Sequence, residues 1–250
     1  MRKIPFYLQI RDHLATRVEE GELRAQAKLP SERTLSEAFG ITRMTVRQAL
    51  LQLEAEGLIH RLDRRGWFVS PPRLIYNPVR NMSFTENVAA QGREPGTLLL
   101  SQEQTTASDW DYRHMGVAVG APMFLIRRLR LIDQRPVLVE HLHVNPRHCP
   151  DLLELSLDQS LTELLAEYYG ITERRSRIHV RPMALSASQA EPLSVTAGTP
   201  GLYLTRTTFD QYDNVIEFDQ EFWRHDVLEL EVDVEPETAK SAFTPAHTPF

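Results

Sequence analysis

The stretch LPSERTLSEAFGITRMTVRQALLQLEAEGL, residues 29–58, leaves little choice of local structure. Pro30 cannot continue a helix, Ser31 is a natural N-cap, Leu35 and Phe39 supply an apolar stripe, and Gly40 ends the pattern. Thr42 caps the next helix at once, with Val46, Ala49, Leu50 and Leu53 as its buried stripe and Gly57 at its close. Two helices joined by a glycine-containing turn of about three residues make a helix-turn-helix. Ahead of them Tyr7, Ile10, Leu14 and Val18 recur at helical spacing, which predicts a further helix from about Pro5 to Glu20. Behind them IHRLDRRGWFV reads as a hairpin whose basic tip is Asp63-Arg64-Arg65-Gly66. Three helices and a hairpin form a winged helix, whose third helix can enter a major groove while the tip touches flanking DNA.

Overall charge argues the other way, since a net charge of −6 repels a polyanion. The average hides two modules: residues 1–80 hold 14 Lys and Arg against 9 Asp and Glu, and the remainder 14 against 25. Arg43 and Arg47 lie one turn apart and off the apolar stripe, so both can reach DNA. Plainer roles compete at several positions. Arg33 could pair with Glu37 across one helical turn, Arg64 and Arg65 could merely solubilise a hairpin tip, and Trp67 fits a core better than a stacking platform.

SPPRLIYNPVRN, with three prolines and no helical periodicity, reads as an extended linker. The expected division is a DNA-binding domain at 1–70, a linker at 71–81, an effector-binding domain at 82–236 and a disordered tail at 237–250. TLLLSQE, PMFLIRRLRLID, PVLVEHLHV, SRIHVRPMAL, GLYLTRTTFD and VIEFDQEFW are strand-like, with LTELLAEYYG and SASQAEPLSV as helices between them. This predicts an α+β domain with a mainly antiparallel sheet.

Its polar residues fall at strand spacing. Arg128 and Arg130 share one strand face, and Glu140 on the next strand is near enough to pair with them. Glu217, Asp219, Glu221 and Trp223 alternate onto one face of the last strand, with Phe218 and Phe222 opposite. Three such carboxylates repel unless a cation or solvent intervenes, so a solvated acidic face on an edge strand is the competing reading.

Enzyme signatures are missing: there is no glycine-rich phosphate loop, nucleophile elbow or HExxH, and no cofactor is expected. His141 and His143 share a strand face without a third ligand at motif spacing, so no metal is expected either. The single cysteine, Cys149, fits a reducing cytoplasm, and no apolar run approaches the roughly 20 residues that span a bilayer. A cytoplasmic protein without a membrane partner is therefore expected.

PFYLQIRDHL, the 29–61 segment and RRGWFV resemble the DNA-binding domain of GntR-type bacterial transcription regulators. The resemblance implies DNA contacts by Arg33, Arg43, Arg47 and the wing-tip Gly66, with Thr42 and Thr45 beside them; Arg64 and Arg65 join them as tip cations. NMSFTENVAAQGREPGT, RLRLIDQRPVLVEHLHV and PGLYLTRTTFDQYDNVIEFDQEFWRHD look like the ligand-sensing UTRA domain of the HutC subfamily, which has a chorismate-lyase-like α+β fold. This extends the likeness from residue 5 to about 234 and implies effector contacts by Ser83, Phe84, Arg128, Arg130, Glu140 and Ser160.

DRRGWFVSPPRL, AAQGREP and EFWRHD are most similar to regulators of phosphonate utilisation, particularly of 2-aminoethylphosphonate. Arginines could hold a phosphonate, while Glu217, Asp219 and Glu221, with Trp223 beside them, offer partners to an ammonium. The expectation is a homodimeric regulator, most simply a repressor, that reads a pseudo-palindromic operator on double-stranded DNA with an affinity controlled by this small molecule. The alternatives are the same regulator sensing a sugar phosphate such as N-acetylglucosamine 6-phosphate, and a lyase-like enzyme fused to a DNA-binding domain.

Overall fold

The computed structural model describes residues 4–62, 65–80, 82–172 and 175–234. Arg64 and the 237–250 tail lie outside these residues. The N-terminal module contains α1 (Phe6–Glu19), α2 (Glu32–Phe39) and α3 (Arg43–Ala55), then the hairpin strands β1 (Ile59–Leu62) and β2 (Gly66–Val69). Local signals place its ends. Ser31 Oγ accepts the Thr34 N–H at 3.1 Å, Thr42 Oγ1 accepts that of Thr45 at 3.3 Å, and Gly40 and Gly57 close their helices at φ of +64° and +76°. Val46, Ala49, Leu50 and Leu53 are wholly buried against Ile10, Leu14 and Trp67. Burying each such leucine is worth roughly 1.5–3 kcal/mol relative to exposure. Trp67 belongs to this core, as its indole N–H to Glu32 and its burial indicate.

The second module runs β3 (Leu74–Tyr76), α4 (Phe84–Ala90), β4 (Pro95–Thr106), α5 (Asp109–Met115), β5 (Pro122–Ile132), β6 (Arg135–Val144), a 3₁₀ turn at Leu152–Glu154 and α6 (Leu161–Tyr169). It continues with β7 (Arg175–Ala184), α7 (Ala187–Ala190), β8 (Pro200–Phe209), β9 (Val215–Arg224) and β10 (Leu228–Leu230). Six strands form one antiparallel sheet in the order β4-β5-β6-β9-β8-β7. This is the α+β fold expected from the strand and helix pattern.

Two findings depart from the simpler expectations. β9 is central, between β6 and β8, and its carboxylates are buried, so the solvated edge-strand reading is wrong. The linker is also not merely extended: β3 pairs in parallel with β10, tying the connection to the end of the second module. Parallel pairing joins strands far apart in sequence, and no local pattern announces it.

Candidate functional site

Two surfaces concern function. On the first, Arg43 and Arg47 stand exposed at the start of α3 and form no ion pair among the described residues. Capping explains their display: Thr42 fixes the helix start, and the wholly buried Val46 and Ala49 turn the opposite face inward. The Thr42 and Thr45 hydroxyls bond each other at 2.9 Å. Arg33 does pair with Glu37, at 2.8 Å, but both side chains are 62% exposed, so water screens the pair and it holds the guanidinium weakly. At the hairpin tip Gly66 adopts φ +103°, a conformation that disfavours any side chain, and the Arg65 guanidinium lies 5.7 Å from the Phe68 ring.

The second surface is a cavity of about 70 Å³ on the sheet face covered by α4 and α6. It brings together Ser83, Phe84, Arg128, Arg130, Glu140, Ser160, Glu217, Asp219 and Glu221, which the sequence draws from five separate elements. Trp223 does not line it. The indole sits behind, in the core, donating its N–H to Glu221 Oε2 at 2.7 Å and packing on Phe84. Ser83 and Ser160 cap α4 and α6, so the starts of both helices border the cavity.

Register explains the convergence. Arg128 on β5 faces Glu140 on β6, which faces Glu221 on β9; Asp219 and Glu217 follow on β9, opposite Arg206 and Thr208 of β8. Glu140 takes both β5 arginines, with Arg128 Nη2 at 2.8 Å and Arg130 Nε at 2.6 Å. Arg128 also donates to the Gln159 carbonyl just ahead of α6, and Arg130 to Thr97 Oγ1. Burial alone would raise the Glu140 pKa, but the two guanidinium groups outweigh it and hold the carboxyl below its ordinary value.

Glu221 accepts from Arg206 at 3.1 Å, which leaves Glu217 and Asp219 without an ion-pair partner among the described residues. Burial, then the neighbouring Glu217, Glu140 and Glu221, push the Asp219 carboxyl well above the usual carboxylate range. Three buried oxygens beside one another, Thr208 Oγ1, Glu217 Oε2 and Asp219 Oδ1, have no hydrogen-bond partner among the described residues. Buried polar atoms are normally satisfied, so three orphans on one cavity wall mark a place built for something else to complete.

Sequence reasoning missed Arg206, Thr208 and Ser176, all of which line the cavity. Counting back from the Asp210–Asn214 turn sets Arg206 against Phe218; the one-residue register shift between Thr208 and Phe209 is what brings it opposite Asp219. A one-residue shift reverses which face every side chain occupies. The two strand histidines go elsewhere: His143 bonds Asp111 at 2.6 Å and His141 accepts from Arg127.

Comparison with known proteins agrees with both halves. The model of bacterial regulatory proteins of the gntR family matches residues 6–69, and that of the UTRA domain residues 90–229. The HTH-type transcriptional repressor NagR of Bacillus subtilis is 34% identical over 89% of this chain and 92% of its own. The HTH-type transcriptional regulator YihL of Escherichia coli is 30% identical over 85% of this chain and 91% of its own. Among solved structures, PhnF from Mycobacterium smegmatis superposes with a TM-score of 0.64 at 28% identity, covering 90% of this chain and 99% of that one.

Proposed function

This chain belongs to the gntR family of bacterial regulatory proteins and carries a UTRA domain, a DNA-binding transcription regulator of the repressor type, and we propose that its effector is a small phosphonate bearing a primary amine, 2-aminoethylphosphonate fitting best. The observation that carries this reading is the imbalance inside the cavity. Its arginines are already engaged by Glu140 and Glu221, whereas Thr208, Glu217 and Asp219 keep unpartnered oxygens. An ammonium supplies the donors those oxygens lack. For the anionic end, the α6 N-terminus offers the amides that helical geometry leaves without an intrahelical acceptor, with Arg128 and Arg130 alongside.

On the other surface, Arg43, Arg47 and the wing would engage DNA, and a dimer would set two α3 helices into successive major grooves of a pseudo-palindromic operator. The dimer is assigned to the β4 edge, where Leu98, Leu99 and Leu100 are exposed on a twelve-residue strand that pairs on one side only.

Thermal unfolding with 2-aminoethylphosphonate, ethylphosphonate, N-acetylglucosamine 6-phosphate and inorganic phosphate tests the effector. A ligand at about 100 times its Kd adds roughly 2.7 kcal/mol, a melting shift of a few degrees for a chain of this size. A shift with aminoethylphosphonate that ethylphosphonate does not reproduce is expected. A shift with the sugar phosphate alone would overturn the amine reading while leaving the regulator intact.

A further inference from the structure

Tyr76 lies in the linker, outside the cavity, yet it is buried and accepts a hydrogen bond at 2.8 Å from Arg206 Nη2. Arg206 is a cavity residue, and the same Nη2 also donates to Glu221 Oε1 at 3.1 Å. One guanidinium therefore joins the carboxylate stripe on β9 to the strand that connects the two modules. The other end of that strand is fastened to DNA-reading structure: Arg73 donates from Nη2 to the Glu56 carbonyl at 2.8 Å, and Glu56 is the C-cap of α3. Only three residue steps of extended chain, about 10 Å, carry Arg73 to Tyr76.

The strand between these ends is held firmly. The Leu74 N–H donates to the Val227 carbonyl at 2.6 Å, and the backbone N–H and carbonyl of Ile75 are both taken by the Gln91 side chain of α4. A change in Arg206 is thus delivered to a clamped element rather than to loose chain.

We propose that Tyr76 and Arg206 form the latch through which the cavity is read by the linker, an incoming ammonium competing with Arg206 for the β9 carboxylates and slackening its hold on Tyr76. This rests on the cavity being the effector site. Guanidinium and ammonium seek the same oxygens, so occupancy by one weakens the claim of the other. The response is a shift between two arrangements of β3, which is what a ligand must bias in order to alter DNA affinity at a distance.

Amide hydrogen exchange at Leu74 and Ile75 in the full chain tests the latch without any ligand. Tyr76→Phe removes only the acceptor at the linker; Glu221→Gln removes the charge at the cavity end of the Arg206 bridge while its amide oxygen can still accept the Trp223 indole N–H. Each is expected to speed exchange at both amides by about tenfold, the scale of losing one charge-assisted hydrogen bond. The double variant should be no faster than either single one, because both break the same connection. Unchanged exchange in Glu221→Gln, or strictly multiplicative effects in the double variant, would overturn the latch and leave Tyr76 as local packing. A final arm adds 2-aminoethylphosphonate to the wild type and expects the same acceleration, absent in Tyr76→Phe. Binding with no change in exchange would overturn the latch. No binding would sink the effector assignment alone, since the variant arms stand without it.

Discussion

The two surfaces handle charge in opposite ways. The α3 arginines Arg43 and Arg47 sit in water on top of a largely apolar core, whereas Arg128, Arg130, Glu140, Glu217, Asp219 and Glu221 are each less than a tenth exposed. A duplex brings its own dense charge, so exposed cations on a fixed helix suffice to meet it. A small ligand must instead be enclosed, and enclosing charges costs several kcal/mol per ion unless they compensate one another. The second module meets that cost by pairing Glu140 with two arginines and Glu221 with a third, leaving a deliberate deficit at Glu217 and Asp219. Stability and recognition are separable on the first surface and entangled on the second.

Substitutions should break along that line. Glu140→Ala strands two buried guanidinium groups and is expected to cost about 3–5 kcal/mol in chemical denaturation. A loss below about 1 kcal/mol would mean that solvent reaches the pair and that the contrast is overdrawn. Arg43→Ala is expected to weaken operator binding by about 1–3 kcal/mol in a mobility-shift titration while leaving stability within about 0.5 kcal/mol and effector affinity unchanged. If stability fell as far as binding, the two surfaces would not be distinct in kind.

Asp219→Asn sharpens the comparison from inside the cavity. Removing a carboxyl crowded by Glu217, Glu140 and Glu221 should raise the melting temperature by an amount worth about 1–2 kcal/mol at neutral pH, and should abolish the melting shift from 2-aminoethylphosphonate. The sign follows from linkage. The unfolded chain ionises Asp219 at the ordinary carboxylate value while the native state keeps the proton to higher pH, so Asp219 draws stability down as pH rises between the two values. A variant less stable than wild type at neutral pH would show that Asp219 is a structural ion.

The smallest expected effect is on pH dependence. An ammonium favours ionised Asp219, whose carboxyl is held above its ordinary range, so affinity for 2-aminoethylphosphonate should rise with pH by more than affinity for ethylphosphonate, which controls for the titration of the phosphonate itself. Parallel slopes for both ligands in titration calorimetry would remove Asp219 from the amine site.

Most of the winged helix was legible because its determinants are local. Ser31, Thr42, Gly40 and Gly57 bound helices whose stripes repeat within a few residues, and the structure places those ends accordingly. Arg128, Arg130 and Glu140 were nearly as legible, since a short hairpin joins their strands. The carboxylates of β9 were visible as a stripe but not as a buried one, because burial depends on which strands flank β9. Arg206 and Tyr76 were not legible at all.

The sequence by itself thus determined the module order, the capped helices that display Arg43 and Arg47, and the alternation that lines up Glu217, Asp219 and Glu221. Tertiary structure alone decided that β9 lies at the centre of the sheet, that Arg206 stands opposite Asp219, and that β3 reaches β10 and places Tyr76 on Arg206. Helical periodicity and caps are written within one turn of chain. Strand order and register instead depend on partners up to 130 residues away and on single-residue bulges that reverse a face, and only the folded sheet fixes those.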